Sequence, residues 1–384
     1  MADEDGIRFV KRLLADYYRK QVGIGPERLD QREFGVGDFE RKIAFRHLAF
    51  RSSDELRRYL AAEAPPYVSY SCSYYKDPAG RPMERKGWLG TELVFDLDAT
   101  DMELGCQKLH GRSWVCANCL EEVKAETVKL VENFLVPDFG FSGRDMMINF
   151  SGNRGYHVHV NDKSVLALDS AARKEITDYI SGRGVEMGEF FPTLGMRGKM
   201  LRGPRHADRG WGGKMARQFL ADMNNGIGAL MALGIDKPTA RMIYRKRALI
   251  ELGINNGNWD MVYIKDKAEF WKRILENQRV KQSDRIDKNV TTDISHLIRL
   301  PNSIHGSTGL VAKAVGSVAD LARFDPMRNA IAFKGEEMRI KADTGFPLLM
   351  NGRSFGPYGG EIKVPVYVAL YLYLKGHARL LGLA

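Results

Sequence analysis

Cysteine is scarce in this sequence, and no apolar stretch is long. Four Cys in 384 residues are too few for a disulfide framework. The longest late apolar run, Val364–Leu374, contains Pro365, lies between Lys363 and Lys375, and is too short to cross roughly 30 Å of hydrocarbon. The opening residues, MADEDGIRFV, are acidic and include no apolar signal segment. These features exclude disulfide-rich secreted and membrane-spanning proteins, and they predict a cytoplasmic protein in a reducing compartment.

Acidic side chains are also in deficit. There are 48 acidic and 58 basic side chains, which gives a formal charge of +10 and a pI near 9.3. Hydrophobic residues make up 44% and charged residues 28%, an ordinary globular composition that excludes disordered and fibrous classes. The length fits two or three domains of about 100–200 residues each. The basic excess favours a polyanionic partner, with nucleic acid or nucleotides ahead of anionic lipid.

The N-terminal third predicts two helices and a strand. The first helix has a stripe of apolar residues at helical spacing: Ile7, Val10, Leu13, Leu14, Tyr17 and Tyr18. Ser52 and Glu55 are typical of a capping box and predict a second helix that extends through Leu60. Alternating apolar and Ser residues predict a half-buried strand over Tyr67–Tyr75, with Cys72 as a small buried residue.

The rest of the chain predicts a sheet interrupted by helices. Apolar runs predict strands at Glu92–Asp98, Met146–Phe150, Tyr156–Val160, His296–Leu300 and Gly309–Val315. Helices are predicted over 121–134, through much of 167–279, and from about residue 365. Because residues 167–279 form a helical insertion, the strands on its two sides must rejoin one sheet.

Two aspartates at the end of a predicted strand are the first candidate site. Asp96 and Asp98 are two residues apart on a strand, so both carboxylates point to one face while the alternate apolar residues enter the core. Two acids on one face repel each other, and hard oxygen ligands suit Mg²⁺ or Mn²⁺, as one ion or a pair. The alternative is that both aspartates face solvent or cap a turn. Asp101 lies beyond the predicted end of the strand and is not included.

The turn between the next two strands resembles an anion-binding hairpin. Ser151 to Gly155 provide two glycines, a hydroxyl and the guanidinium of Arg154, which can hold phosphate in a bidentate manner. His157 and His159 share one strand face and allow a metal pair, although a phosphate contact by His157 agrees better with the neighbouring Arg. An ordinary hairpin turn is the alternative.

Three cysteines and a histidine are clustered within 14 residues. Cys106, His110, Cys116 and Cys119 supply four N and S ligands, enough for a closed tetrahedral Zn²⁺ site without an open position for catalysis. A structural zinc knob over 104–120 is therefore expected. The alternative is a chance cluster of reduced thiols, with His110 exposed and uninvolved.

A late segment, DKNVTTDISHLIRLPNSIHG, adds a carboxylate, a cation and an imidazole. Asp287 could supply the third acid of a metal site, with Asp293 as a competitor, and Arg299 and His305 follow near predicted strands. Either aspartate could instead cap the segment that follows it.

Taken together, four motifs resemble the small, catalytic subunit of archaeal and eukaryotic DNA primase. They are VFDLDATD, the Cys/His cluster, FSGNRGYHVHV and HLIRLPNSIHGSTGL, in that order and at similar spacing. The resemblance implies an α/β fold with a mixed sheet, a zinc knob and a helical insertion. It implies a catalytic domain over 1–166 and 280–384, with the knob, and a helical subdomain over 167–279.

The resemblance also implies the site residues. Asp96, Asp98 and Asp287 would hold two catalytic Mg²⁺ or Mn²⁺ ions. The residues implied to bind the incoming nucleotide are Ser151, Arg154, His157, Arg299, His305 and Arg46. The family often has Arg where this sequence has Asn153, so one phosphate contact is missing or neutral here.

The implied activity is DNA-directed primer synthesis from nucleoside triphosphates during replication. It includes RNA polymerase activity, whereas DNA polymerase activity is left open. The implied partners are a single-stranded DNA template, nucleoside triphosphates and a primase large subunit that carries its own iron–sulfur cluster. No membrane partner is implied. Three alternatives stay open. They are a related repair primase–polymerase, a Mn²⁺-dependent glycosyltransferase and a noncatalytic zinc-bearing nucleic-acid-binding module. The glycosyltransferase would not require Arg154, His157 and Asp287 beside the aspartate pair.

Overall fold

The computed structural model describes residues 4–191, 200–282 and 285–383. The chain divides into two compact units. The first comprises Met1–Val128, Phe141–Lys174 and Arg285–Ala384, and the second comprises Lys129–Gly140 and Glu175–Asp284. Among the described residues, none of the helices combines the length and the apolar character needed to cross a bilayer.

The strands all lie in the first unit. They are β1 Phe34–Gly37, β2 Phe45–Leu48, β3 Tyr67–Ser71, β4 Ser73–Tyr75, β5 Trp88–Thr91, β6 Leu93–Asp98, β7 Met146–Phe150, β8 Gly155–Val160, β9 Leu297–Arg299, β10 Ala314–Gly316, β11 Glu337–Thr344, β12 Leu348–Met350, β13 Arg353–Phe355, β14 Tyr358–Pro365 and β15 Ala378–Leu383.

The helices are distributed over both units. They are α1 Glu4–Lys20, α2 Ser53–Glu63, α3 Gln107–His110, α4 Ala117–Leu130, α5 Lys163–Leu166, α6 Ser170–Ile180, α7 Gly210–Asn224, α8 Ile227–Ala232, α9 Lys237–Arg245, α10 Arg247–Asn255, α11 Lys267–Gln282, α12 Lys288–Thr292, α13 Val318–Arg323, α14 Pro326–Asn329 and α15 Val366–Leu374. A π-helical turn over Val131–Leu135 follows α4 directly.

Two antiparallel sheets form the centre of the first unit, where one had been expected. One has the strand order β10-β7-β8-β6 and the other β2-β1-β3-β9. The strand predicted at His296–Leu300 is present as β9, but it pairs with β3, with Ser69 opposite Arg299, and does not enter the sheet of Asp96. Only β10, from the predicted strand at Gly309–Val315, joins that sheet. The late segment therefore contributes one strand to each sheet.

The predicted strand over Tyr67–Tyr75 needs two corrections. It is divided into β3 and β4 at Cys72, and both faces are buried. The Ser face avoids water because its hydroxyls are hydrogen-bonded internally: Ser71 Oγ donates to the Ser73 carbonyl at 2.6 Å, and Ser73 Oγ bonds to Thr91 and to the Ile294 carbonyl. Cys72 is buried, as predicted.

The C-terminal part contains a three-stranded antiparallel sheet, β14-β11-β15, that the sequence analysis missed. Along β11 the side chains alternate between exposed and buried, with Met338, Ile340 and Ala342 inside. The late helix predicted from about Pro365 is present as α15, and its Val, Leu and Tyr side chains lie in the core.

The second unit contains helices α7 to α11. Its core contains large aromatic side chains from α7, α11 and the segment before α11, and the centroids of the Trp259 and Trp271 rings are 5.0 Å apart. Phe219 of α7 packs edge-on against Trp271 at 5.1 Å. Buried Lys214 pairs with buried Asp138, which ties α7 to the segment after α4.

Candidate active site

Strand β6 presents Asp96 and Asp98 on one face, as the sequence predicts. Leu93, Phe95 and Leu97 are fully buried, whereas the two carboxylate side chains keep about a quarter of their surface exposed, 25% and 23%. The apolar alternate residues therefore hold the strand in the core and point both acids toward the site.

Asp287 lies beside this pair. Its main-chain amide donates to the Asp96 carbonyl oxygen at 2.9 Å, and Thr291 Oγ1 of α12 donates to the Val94 carbonyl at 2.7 Å. The Asp287 side chain caps α12 by accepting from the amide of Asn289 at 2.9 Å. The competitor, Asp293, accepts instead from the amide of Ser295 at 2.8 Å. The structure thus brings Asp287 to the strand that carries the other two acids.

The acids lie within electrostatic range of one another. Burial first, and then the negative charges of Asp98, Asp287 and Asp101, raise the pKa of Asp96 to about 8, against a smaller opposing effect of Lys42. Carboxylates gathered in this way repel one another unless cations are bound between them. The cluster therefore has the chemistry of a divalent cation site, because Mg²⁺ and Mn²⁺ prefer carboxylate oxygens.

The turn between β7 and β8 is a closed hairpin. The Ser151 amide donates to the Gly155 carbonyl at 2.9 Å, and Ser151 Oγ accepts from the Gly155 amide at 3.2 Å. Gly152 has a φ of +82°, and a Cβ there would lie 2.8 Å from Cβ of His305. At Gly155 a Cβ would lie 2.0 Å from the Leu97 carbonyl oxygen. Both glycines are therefore required for the turn to approach His305 and β6.

The basic residues that flank this turn face the acids. Arg154 Nε lies 3.3 Å from Asp98 Oδ1, and His157 Nε2 lies 3.6 Å from Asp96 Oδ1. Burial lowers the pKa of His157 well below its ordinary value, so the imidazole is neutral. Its Nδ1 is buried without a hydrogen-bond partner among the described residues. His159 bonds instead to Glu92, with Nδ1 3.2 Å from Oε2.

Arg299 is a buried cation without a matching acid. Its side chain lies 5.0 Å from the centre of the Tyr67 ring, and Nη1 donates to the Val68 carbonyl at 3.3 Å. In the described ranges no carboxylate pairs with it, and burial lowers its pKa to about 10. A buried guanidinium without an anion is costly. The site is consequently suited to an anionic ligand.

His305 is at the centre of a group of cations. Burial lowers its pKa well below the ordinary value, and the positive charges that add to this effect belong to Arg299, Lys375, Lys42 and Arg154. Lys42 and Lys375 were not predicted from the sequence. Neither lies in a recognisable motif, and Lys375 was noted only as a flank of an apolar run. The acids of β6 and the N-cap of α12 thus lie beside this group of cations around His305, which we call the basic pocket.

Arg46 has partners of its own. Its Nε and Nη2 donate to the two oxygens of buried Glu33 at 2.8 and 3.3 Å, and Nη2 also donates to the Ser295 carbonyl at 3.3 Å. Glu33 in turn contacts Lys86 and His47. The guanidinium is therefore fixed next to the segment that precedes β9, and its implied role toward a nucleotide stays a prediction.

Cys106, His110, Cys116 and Cys119 converge. Their ligand atoms all lie within 4.8 Å of one another, and no other group of three or more Cys, His, Asp or Glu side chains in the described residues does so. The Cys116 and Cys119 sulfurs are 3.7 Å apart, close to the ~3.8 Å expected for two sulfurs at Zn–S distances of about 2.3 Å. His110 Nδ1 lies 2.8 Å from the Gly111 carbonyl, which leaves Nε2, 3.6 Å from the Cys119 sulfur, for a metal. The four residues fit Zn²⁺.

Comparison with known proteins identifies the family of this chain. The family model described as DNA primase small subunit matches residues 95–317, which include the acids, the hairpin, Arg299 and His305. The chain is 34% identical to the DNA primase small subunit of Methanococcoides burtonii, over 96% of this chain and 97% of the relative. It is 33% identical to that of Methanothrix thermoacetophila, over 96% and 98%, and 34% identical to that of Methanoregula boonei, over 97% and 98%. The chain therefore belongs to the DNA primase small subunit family.

Proposed function

We propose that this chain synthesises short oligonucleotide primers on single-stranded DNA, by two-metal nucleotidyl transfer from nucleoside triphosphates during DNA replication. The observation that carries the proposal is the position of Asp287. Its main chain is bonded to Asp96, so three acids from two distant stretches lie beside a basic pocket. Family membership supports this function, and a glycosyltransferase would not require that arrangement.

In this proposal Asp96, Asp98 and Asp287 hold two Mg²⁺ or Mn²⁺ ions. Bound there, the ions would lower the pKa of the attacking hydroxyl and stabilise the charge on the departing pyrophosphate. The aspartates align a primer 3′-hydroxyl with the α-phosphorus of the nucleotide for in-line attack. Phosphoryl transfer depends mostly on such positioning and on charge.

The basic pocket would bind the triphosphate. Ser151 Oγ accepts hydrogen bonds from the main-chain amides of Asn153 and Gly155. Its own hydroxyl hydrogen can therefore be donated to a phosphate oxygen. Arg154 and Arg299 supply guanidinium groups, and His157 and His305 are neutral imidazoles that can each donate one hydrogen bond. Arg46 would approach the nucleotide from the side of Ser295. The excess of basic side chains would hold the template with little sequence preference.

Further parts of the proposal concern architecture and partners. Residues 104–120 would form a zinc knob whose ion is structural, because four protein ligands leave no open position. Residues 1–166 and 280–384 would form the catalytic domain and 167–279 the helical subdomain. A primase large subunit would bind this chain and would hold any iron–sulfur cluster.

A primer-synthesis assay tests the proposal. The purified chain, alone and with a primase large subunit, is incubated with unprimed single-stranded DNA, ribonucleoside triphosphates and Mg²⁺ or Mn²⁺, and products are resolved on a gel. Short RNA products are expected, and parallel reactions with deoxyribonucleoside triphosphates measure any DNA synthesis. Product formation without a primer also separates a replicative primase from an enzyme that only extends.

Asp96→Asn is expected to reduce synthesis by about 10³-fold or more, because it removes a metal-ligating charge. Asp54→Asn removes an exposed acid from α2 and is the matched control, with synthesis unchanged. No product with either metal, or full activity in Asp96→Asn, would contradict the proposal. The second result would favour the noncatalytic binding module.

A further inference from the structure

Lys375 directly follows α15, the most apolar helix of the first unit. Its main-chain amide donates to the Tyr371 carbonyl at 3.0 Å, so the backbone continues the helical turn. Val368, Leu370 and Leu372 in that helix are at most 1% exposed. The Cα of Lys375 is therefore held by a helix that cannot shift without disturbing the core.

The ammonium group of Lys375 reaches the turn between β7 and β8. Nζ donates to Asn153 Oδ1 at 3.0 Å and to the Ser113 carbonyl at 3.3 Å. Both acceptors are neutral, and in the part of the chain that the structure describes no carboxylate forms an ion pair with this lysine. Its charge is thus directed at the turn and remains available to an anion.

Ser113 is itself fixed. The next residue, Trp114, is buried and packs edge-on against Tyr371 of α15, with ring centroids 5.6 Å apart, and against His377 at 5.2 Å. The segment of the Cys/His cluster and the end of α15 therefore form one packed structure. Two anchors, the Ser113 carbonyl and the Asn153 amide, hold the ammonium group in a single place.

A second cation follows Asn153 in the chain and lies close enough to Lys375 for the two charges to interact. Arg154 is the next residue in the turn, and it contacts Asp98. An anion bound on this turn would meet Lys375 and Arg154 together and would lie next to the aspartates. A triphosphate fits this arrangement, since its charge can be shared between the basic side chains and the acid-held cations. A template phosphate would need no such proximity to the acids.

We propose that Lys375 is a nucleotide-binding residue that contacts the triphosphate of the incoming nucleotide, presented by α15 and oriented by Asn153 and Ser113. This role rests on the proposed function. It assigns to the C-terminal segment, outside residues 95–317 of the family match, a direct part in substrate binding.

The test measures kcat and KM for the nucleoside triphosphate in primer synthesis, and the dissociation constant for single-stranded DNA. Lys375→Met is expected to raise KM about 10- to 100-fold, as for the loss of a charge-assisted hydrogen bond, with kcat and DNA affinity changed less than about threefold. Lys375→Arg should stay within about threefold of the wild type. Lys363→Met, which removes an exposed charge from β14, is the matched control and should have no effect.

A charge relocation gives a stricter test that does not depend on one substitution being tolerated. The double variant Asn153→Arg with Lys375→Met places the cation on the turn itself, and KM should return to within about fivefold of the wild type. The proposal is overturned if Lys375→Met leaves KM within twofold, or if its main loss is in DNA affinity. A lower melting temperature in Lys375→Met without recovery in the double variant would assign the lysine a structural role and also overturn it.

The inference and the proposed function can fail separately. If the wild type makes no primers, binding of the fluorescent N-methylanthraniloyl derivatives of ATP and AMP, with Mg²⁺, still examines Lys375. Lys375→Met should then weaken the triphosphate at least tenfold more than the monophosphate. If Lys375→Met weakens the binding of both nucleotides equally, the inference is contradicted, whatever the activity of the chain.

Discussion

The main-chain amide of Asp287 donates to the carbonyl oxygen of Asp96, 2.9 Å away. A main-chain bond is insensitive to the charge of either side chain, so the two aspartates stay adjacent even though their carboxylates repel. Together with the bond from Thr291 Oγ1 to the Val94 carbonyl, this contact holds α12 against β6 and places Asp287 beside the pair on that strand.

Repulsion within the acid cluster predicts a gain in stability when one acid is removed. Asp96→Asn should raise the melting temperature in EDTA, by about 2–4 °C for each kcal/mol of repulsion relieved. Added Mn²⁺ should raise the melting temperature of the wild type more than that of the variant, because a ligand that binds only the folded state stabilises it. Differential scanning calorimetry with and without the ion checks both effects. An equal shift with Mn²⁺ would argue against a cation site at Asp96.

Arg299 should be needed for the nucleotide rather than for the fold. Arg299→Met removes a buried guanidinium that has no acidic partner among the described residues, so the free energy of unfolding should change little or increase. KM for the nucleoside triphosphate should rise about 10- to 100-fold, as for the loss of a hydrogen bond to a charged group. Urea unfolding and steady-state kinetics make the comparison. Strong destabilisation with an unchanged KM would assign the residue to the core.

The Cys/His cluster should bind one zinc ion per chain. Cys119→Ser should lose the ion, measured by atomic emission, and should lower the melting temperature because the segment with buried Trp114 loses its anchor. Cys72→Ser, a buried thiol outside the cluster, is the control for thiol chemistry and should keep the ion. Full retention of zinc in Cys119→Ser would contradict the assignment.

The pH dependence of nucleotide binding should follow Lys375. Burial first, and then the charge of Arg154, lower the pKa of this lysine to about 8, against an opposing effect of Asp98. His305, the other titratable group that senses Lys375, is neutral throughout this range. The ammonium form is present below pH 8 and is lost above it, so KM should rise between pH 7.5 and 9.5. Lys375→Arg should flatten that rise, and an equal rise in both proteins would exclude the lysine as its source.

A buried ion pair away from the acids should control acid stability. Burial alone would raise the pKa of the Glu92 carboxyl. Arg32 and His159 overcome that effect and hold the pKa at about 2. The stabilisation is therefore complete above pH 4.5 and is lost as the pH falls toward 2. Glu92→Gln should lower the free energy of unfolding at pH 7 by about 3–5 kcal/mol, because Arg32 is left buried without its acid. Glu337→Gln, on the exposed face of β11, should change it by less than about 0.5 kcal/mol.

The local parts of the site could be predicted from the sequence. Alternation along β6 determines that Asp96 and Asp98 share a face, and the glycines of the hairpin determine its turn, since both depend on neighbouring residues. The same rule was available for β11, where Met338, Ile340 and Ala342 alternate with charged residues, but that strand was missed. The half-buried face expected for Tyr67–Tyr75 was wrong because serines can be buried when neighbouring strands accept their hydroxyls.

The non-local parts could not be predicted. Lys42 and Lys375 enter the basic pocket only because their elements pack near His305, and no spacing in the sequence records that. The pairing of β9 with β3, and not with a strand of the sheet that contains Asp96, likewise depends on which strand edge is unpaired once the chain has folded back. Sequence motifs identified the acids, Arg154 and Arg299, whereas tertiary packing added Lys42 and Lys375.

The pairing of β3 with β9 has a consequence for biosynthesis. A ribosome adding about 5–20 residues per second needs roughly 11–46 s to travel from the first of these strands to the second. During that interval the edge of β3 that will receive Leu297–Arg299 is unpaired on the nascent polypeptide, and the whole helical unit emerges in between. A translational pause or a chaperone that shields this edge would therefore act on the yield of active enzyme without touching any residue of its chemistry.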